Sequence, residues 1–349
     1  MVRVILLATS LMLIPVFAED MNPQKEESDR YFQEQVQKLN YGSTKEKKIA
    51  VENLRRIKSK RALRPFIFAL RGSSTYGEPK KGVVQPETPE VDQPLVNVEL
   101  KEHNDPALKF VLAQAIADIG SERGMSALVD VYKALEPLVK KEEKVNLPYS
   151  DDMNNVNAAT EILRSIGKLV HRLEETQEAD ASKYKPVNDA IKSGMETLKA
   201  ALAHEHHYIR SGAADGLAYS SRPEALESVN GVLEKEEDEY TKAALLSAII
   251  ALNKGNGEKF FDLVELLRSD KPAVRIRASI GISFADVSNG AHYIKEALQY
   301  EENFNVREQM KRDIALLTAF RTPDHHTSGA YKDGNPGNDS PSSRRTEEQ

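Results

Sequence analysis

The chain has no cysteine and no tryptophan, and aromatic residues fill only 6% of its 349 positions. Without cysteine there is no disulfide, no thiolate nucleophile, no Cys-ligated zinc and no lipid-bearing cysteine. The shortage of rings argues against a carbohydrate cleft or a platform on which bases stack. A basic excess is missing as well. The 48 Lys and Arg face 54 Asp and Glu, a net charge of −6, so no nucleic-acid partner is expected. No Gly-rich phosphate loop, Gly-x-Ser-x-Gly elbow or His-Glu-x-x-His zinc motif occurs. The chain is therefore not expected to be an enzyme, and no catalytic, cofactor-binding or metal residues are assigned. What is present is 40% hydrophobic and 29% charged residues, enough for the core of one large domain or two ordinary ones.

One long apolar run exists, at the start. Residues 1–18 read MVRVILLATSLMLIPVFA, with Arg3 as a short positive head, an apolar stretch to Phe17, and Pro15 breaking the helix near its end. Val16 and Ala18 stand at −3 and −1 before Glu19-Asp20. This is signal-peptide grammar, with cleavage expected after Ala18. An uncleaved anchor is the competing reading, but the run falls short of the roughly 20 residues a spanning helix needs. The expectation is an exported chain, periplasmic or extracellular, with no membrane span after cleavage.

A repeat runs through the rest. Between residues 203 and 320, basic anchors stand at Arg210, Lys242, Arg275 and Arg307, in steps of 32, 33 and 32. Apolar or small residues follow each anchor at +3, +7 and +10, one face of a helix, with Ser220 the polar exception. A second apolar stripe follows each of the first three, after breaks rich in Gly, Asn, Ser and Pro. The unit is helix, turn, helix. Lys47, Lys109 and Val156 open the same pattern with longer spacing, so residues 72–102, 141–155 and 174–186 read as insertions. Ser43 with Glu46 has the capping-box spacing, and Asp105 and Asp270 stand just before Pro106 and Lys271-Pro272 as capping side chains.

The opening Lys271-Pro-Ala-Val-Arg-Ile-Arg-Ala-Ser-Ile-Gly-Ile282, and the run from Asn104-Asp-Pro-Ala-Leu-Lys109 to Ile119-Gly120, resemble HEAT repeats of the short type found in phycobilin lyases. The likeness covers residues 43–320 and is strongest from 203 onward. The tetratricopeptide pattern, with a near-equal period, lacks its Trp and Gly-x-x-Tyr features here. The resemblance implies an all-α fold: a right-handed α-solenoid of about seven HEAT-like hairpins that binds something rather than reacting with it. A helix over residues 24–39, within an N-terminal segment 19–42, would cap the first repeat through Tyr31, Phe32, Val36 and Leu39. The insertion 72–102 alternates Val96, Val98 and Leu100 with polar residues, as a short strand does, and is either a loop over one groove or a spacer. Residues 321–349 have the composition of a disordered tail.

Candidate chemistry is sparse. His204-Glu205-His206-His207 holds possible metal nitrogens, but it lacks the recurrence of His–Glu pairs seen in HEAT-type hydroxylases and sits at a turn, where a cap is the ordinary reading. Asp324-His325-His326 is weaker still. The anchor cations form either a ladder for an anionic partner or a structural ladder to carboxylates of neighbouring repeats, and the second reading is favoured. The acidic run 234–239 reads as a solvated helix end. Polar positions on the second helices, Lys133, Glu227, Asn230, Glu265 and Lys295, are expected to face a binding groove. The function expected is a non-enzymatic scaffold or adaptor for a protein partner. The alternative, implied by the resemblance, is a phycobilin-lyase-like protein or chaperone-lyase.

Overall fold

The computed structural model describes residues 29–57, 59–72, 105–139, 153–175, 185–253, 257, 259–285 and 289–319. Among them the structure is all-α, without a strand. The helices are α1 (Asp29–Tyr41), α2 (Thr44–Ile57), α3 (Leu63–Leu70), α4 (Pro106–Ile119), α5 (Arg123–Val139), α6 (Asn155–Glu175) and α7 (Lys185–Ala201). They continue with α8 (His207–Ser220), α9 (Leu226–Leu233), α10 (Glu239–Leu252), α11 (Phe260–Glu265), α12 (Pro272–Phe284), α13 (Gly290–Tyr300) and α14 (Phe304–Ala319). The leader, the strand expected near residue 98 and the tail 321–349 lie outside the described residues. The helices run further into one insertion than the composition suggested: α6 continues to Glu175 and α7 begins at Lys185.

Local chemistry fixes several helix ends. Ahead of α2, the Ser43 backbone N–H donates to Glu46 Oε2 at 2.7 Å while the Glu46 N–H points back at Ser43 Oγ, the reciprocal pair expected of a capping box. Asp105 accepts from the N–H groups of Ala107 and Leu108 at 2.9 and 3.2 Å, and Pro106 opens α4 where no donor is needed. That helix stops at Gly120, whose φ of 74° a side chain would resist. The expectation fails at α12. Lys271 is the residue at the cap and makes no side-chain bond there, so Asp270 stands one position too far out.

The first helices pack in succession: α2 on α4, α4 on α6, and so on through α8, α10, α12 and α14. Each second helix packs on the first helix of the next unit, α3 on α4, α5 on α6, α7 on α8, α9 on α10, α11 on α12 and α13 on α14, and α1 covers α2 and α3 with Phe32, Val36 and Leu39 buried. Residues at +3 and +7 from the anchors fill the core: Ala213, Leu217, Leu245, Ile249, Ala278, Ile282 and Met310 are buried, and Ile314 is half-buried against them. At about 25 cal/mol per Å² of apolar surface, such a row draws its stability from side-by-side burial rather than from any single helix. Among the described residues α14 has no second helix. Its exposed positions include Asn305, Lys311 and Thr318 together with the apolar Phe304.

At α10 the row bends toward the first helices. Arg277 of α12 donates to Asp215 of α8, and Tyr219 of α8 meets Phe284 of α12 edge-on at 5.0 Å, both crossing over α10. Helices one place apart touch only on the inner side of a bend. Ten of the fourteen residues of α10 are buried, against Val229 alone in α9. The first helix is thus buried over most of its circumference, and the second helices lie on the outer side.

Candidate functional site

A polar seam follows the inner side of the row. Asp118 of α4 is shared by Arg55 of α2 and Arg172 of α6. Gln114 of α4 donates to Glu161 of α6 at 3.0 Å, and Glu161 also faces Arg164 and Lys168 at 3.6 and 3.7 Å. Arg164 Nε donates to Asp215 Oδ2 at 2.9 Å, and Asp215 takes a second guanidinium from Arg277. The Lys168 ammonium lies 4.8 Å from the centre of the Tyr219 ring. Burial works against the Lys168 charge, but Tyr219 and Glu161 outweigh it and leave the ammonium pKa raised. Buried ion pairs stay charged only when matched in this way. The seam joins α2 to α12 by side chains that neutralise one another.

The seam ends in a carboxyl of a different kind. Asp313 of α14 is 2% exposed, and it accepts from Ser279 Oγ of α12 at 2.6 Å and from Gln309 Nε2 at 2.9 Å. Burial pushes its pKa up to about 7, against those two hydrogen bonds and the positive charges of Arg312 and Arg277. A folded pKa above the ordinary 3.8 means that the folded chain holds a proton the unfolded chain releases between those values. The stabilising contribution is therefore full at acid pH and is lost as pH rises through 7. Asp313→Asn keeps both partners and cannot ionise. Its melting temperature should exceed that of the native chain, by more at pH 8 than at pH 5. Thermal melts at the two pH values check this, and a gain independent of pH would assign the effect to packing instead.

Two of the anchor cations, Arg210 and Arg275, make the carboxylate pairs expected of a structural ladder. Arg210 holds Glu236 through two hydrogen bonds of 2.7 Å, and Arg275 holds Glu301 through two of 2.6 and 2.8 Å. In each case the carboxylate comes 26 residues later, and the remaining guanidinium nitrogen reaches a carbonyl six residues back, His204 or Ser269. Arg307 reaches the Glu301 carbonyl in the same way at 2.7 Å. Glu236 and Glu301 each also accept the N–H two residues on, drawing the next first helix into place. Burial alone would raise both carboxyls, but the arginine hydrogen bonds leave them lowered. The acidic run 234–239 is therefore not simply solvated. Glu236 locks two units together, and Asp238 caps α10 by accepting from the Thr241 N–H at 2.8 Å. Lys109 is buried on α4, and its pKa is lowered by burial.

The histidine run serves the turn before α8. His204 Nδ1 accepts from the His206 N–H at 2.9 Å, and His206 Nδ1 accepts from the Tyr208 N–H, which makes it the cap of that helix. Burial, and then His207 and His204, push the His206 pKa down to about 4, so the ring stays neutral and remains an acceptor. No group of three potential ligands among the described residues is placed to hold a metal ion. His325 and His326 lie outside the described residues. Of the positions expected to line a groove, Lys133, Glu227, Glu265 and Lys295 are exposed on α5, α9, α11 and α13, on the outer side of the bend, and Asn230 is half-buried. What the sequence did not reveal was the Arg164–Asp215–Arg277 triad. Neither a scan of protein-family models nor a search of curated proteins gives a match to this chain.

Proposed function

We propose that the chain is an exported, non-enzymatic scaffold, a right-handed α-solenoid of about seven HEAT-like hairpins that binds a protein partner in the periplasm or cell envelope. The observation that carries this reading is the recurrence of one clasp, Arg210 with Glu236 and Arg275 with Glu301, at the same register two repeat steps apart. The same device at the same register is what a stack of equivalent units needs, and stacked units present long surfaces rather than a reaction centre. The ionisable groups of the inner seam are engaged with each other, so the polar side chains left for a partner stand on the second helices and in the connections. None of the described helices is long and apolar enough to cross a membrane. The test begins with secretion of the full chain from a bacterial host, where the mature N-terminus should be Glu19. The purified mature chain, used as bait in envelope extract, should retain a saturable protein partner. A chain that keeps Met1 and leaves the membrane only with detergent would overturn export. Uptake of a free bilin by the purified chain would replace the scaffold reading with the lyase one.

A further inference from the structure

The bend that draws α8 and α12 together on the inner side spreads the second helices on the outer side. Both α9 and α11 pack on α10, and between them opens a cleft of about 370 Å³. Leu233, Leu246 and Leu266 give it an apolar lining, and Lys242 of α10 reaches it. Lys242 stands at the anchor position filled by Arg210 and Arg275 in the flanking units. Their carboxylates, Glu236 and Glu301, lie 33 residues before and 32 residues after Ser269, which occupies the matching position here. A hydroxyl cannot neutralise an ammonium, and Ser269 Oγ is bonded to Glu239 at 3.0 Å. Glu239 in turn pairs with Lys271 at 3.3 Å, and the other cation of the cleft, Lys259, pairs with Asp262 at 3.4 Å. The ladder is broken at this unit alone of the three. It leaves Lys242 half-buried beside leucines with no carboxylate partner among the described residues. An ammonium held beside apolar side chains gains a charge-assisted hydrogen bond when a ligand carboxylate reaches it.

We infer that the cleft between α9 and α11 binds a peptide segment of the partner in which a single acidic residue is flanked by aliphatic ones. The acid pairs with Lys242, and the aliphatic side chains cover Leu233, Leu246 and Leu266. Glu234 and Asp262, which also line the cleft, repel a second acid, so the ligand carries one carboxylate rather than a run. The inference rests on the reading of the chain as a protein-binding scaffold.

The probe is an acetylated, amidated Gly-Ser-Leu-Glu-Leu-Ser-Gly peptide, with a twin in which Gln replaces Glu. Binding to the full mature chain is followed by NMR of its ¹³C-methylated lysines. The Lys242 signal should shift saturably with the acidic peptide, and the Gln twin should bind about tenfold more weakly or worse. Lys242→Met should lose the preference for the acidic peptide, and Lys242→Arg should restore it, with the melting temperature unchanged in both. Equal binding of the two peptides, no saturable shift, or an undiminished preference in Lys242→Met would each overturn the inference. A partner captured from envelope extract equally well by the native chain and by Lys242→Met would also overturn it, and would leave the scaffold reading standing.

Discussion

Gly167→Ala is expected to break the middle of the row. A Cβ at Gly167 would overlap the carbonyl of Gly216, so the obstacle is backbone, which cannot swing aside as a side chain can. The two helices involved, α6 and α8, must then separate, and Leu163, Ile166, Ala213 and Leu217, all buried at their interface or beside it, lose packing together. Ordinary overpacking costs about 1–3 kcal/mol, and a clash between two backbones should reach or exceed the top of that range. For a chain of this size that corresponds to a loss of roughly 5 °C in melting temperature. Gly231→Ala is the control. A Cβ there meets nothing within 4 Å on α9, so the better helix former should leave stability unchanged or raise it by about 0.5–1 kcal/mol. Circular dichroism melts of the two variants decide the point, and equal melting temperatures would mean that α6 and α8 do not approach this closely.

Asp215→Ala should cost about 3–5 kcal/mol, because it leaves the buried Arg277 guanidinium without its carboxylate, facing an Arg164 that keeps only Glu161. Arg277 has 4% of its side chain exposed and cannot turn to water. Arg277→Met should cost less, since Asp215 keeps Arg164 at 2.9 Å. The double change Asp215→Leu with Arg277→Met should recover part of the loss by replacing charge with packing. Urea denaturation of the three variants measures these differences. Small-angle scattering adds a second readout, because releasing α8 from α12 should open the bend and enlarge the radius of gyration. A cost for Asp215→Ala below about 1 kcal/mol would place the pair among ordinary surface bridges, which contribute little.

The helices and their phase were legible because they depend on local spacing. Buried residues at +3, +7 and +10 from Arg210, Lys242 and Arg275 follow from helical geometry, and even polar Ser220 at +10 is buried, its hydroxyl donating to the Leu217 carbonyl. The anchor ladder was half legible. The cations recur visibly, but Glu236 was hidden inside an acidic run whose average character suggested solvent. The direction of the bend was not read, although a signal existed. Gly212-Ala-Ala-Asp-Gly216 on α8 is small enough to let neighbouring first helices close up, whereas the second helices have no such run. Asp215 with Arg277 was beyond reach, because the pair is separated by 62 positions and belongs to two different units. Asp313 carries no mark in the sequence that distinguishes a buried acid from the exposed acids around it.

The helix α10 has a double membership. Its Ala244, Leu245, Ala248 and Ile249 belong to the apolar cluster that extends back to α1, while Ala243, Leu246 and Ile250 belong to a second cluster that extends to α14. A chain of units touching only their neighbours behaves like a row of springs in series, each free to open by itself. The side chains that pass over α10 from α8 to α12 act as a spring in parallel across that joint. Under tension or thermal fluctuation the strain must go elsewhere, to the ends of the row, where α2 and α14 have a first-helix neighbour on one side only. The amide protons of α8, α10 and α12 would then share one opening free energy, and exchange would run inward from both ends and stop at the same three helices.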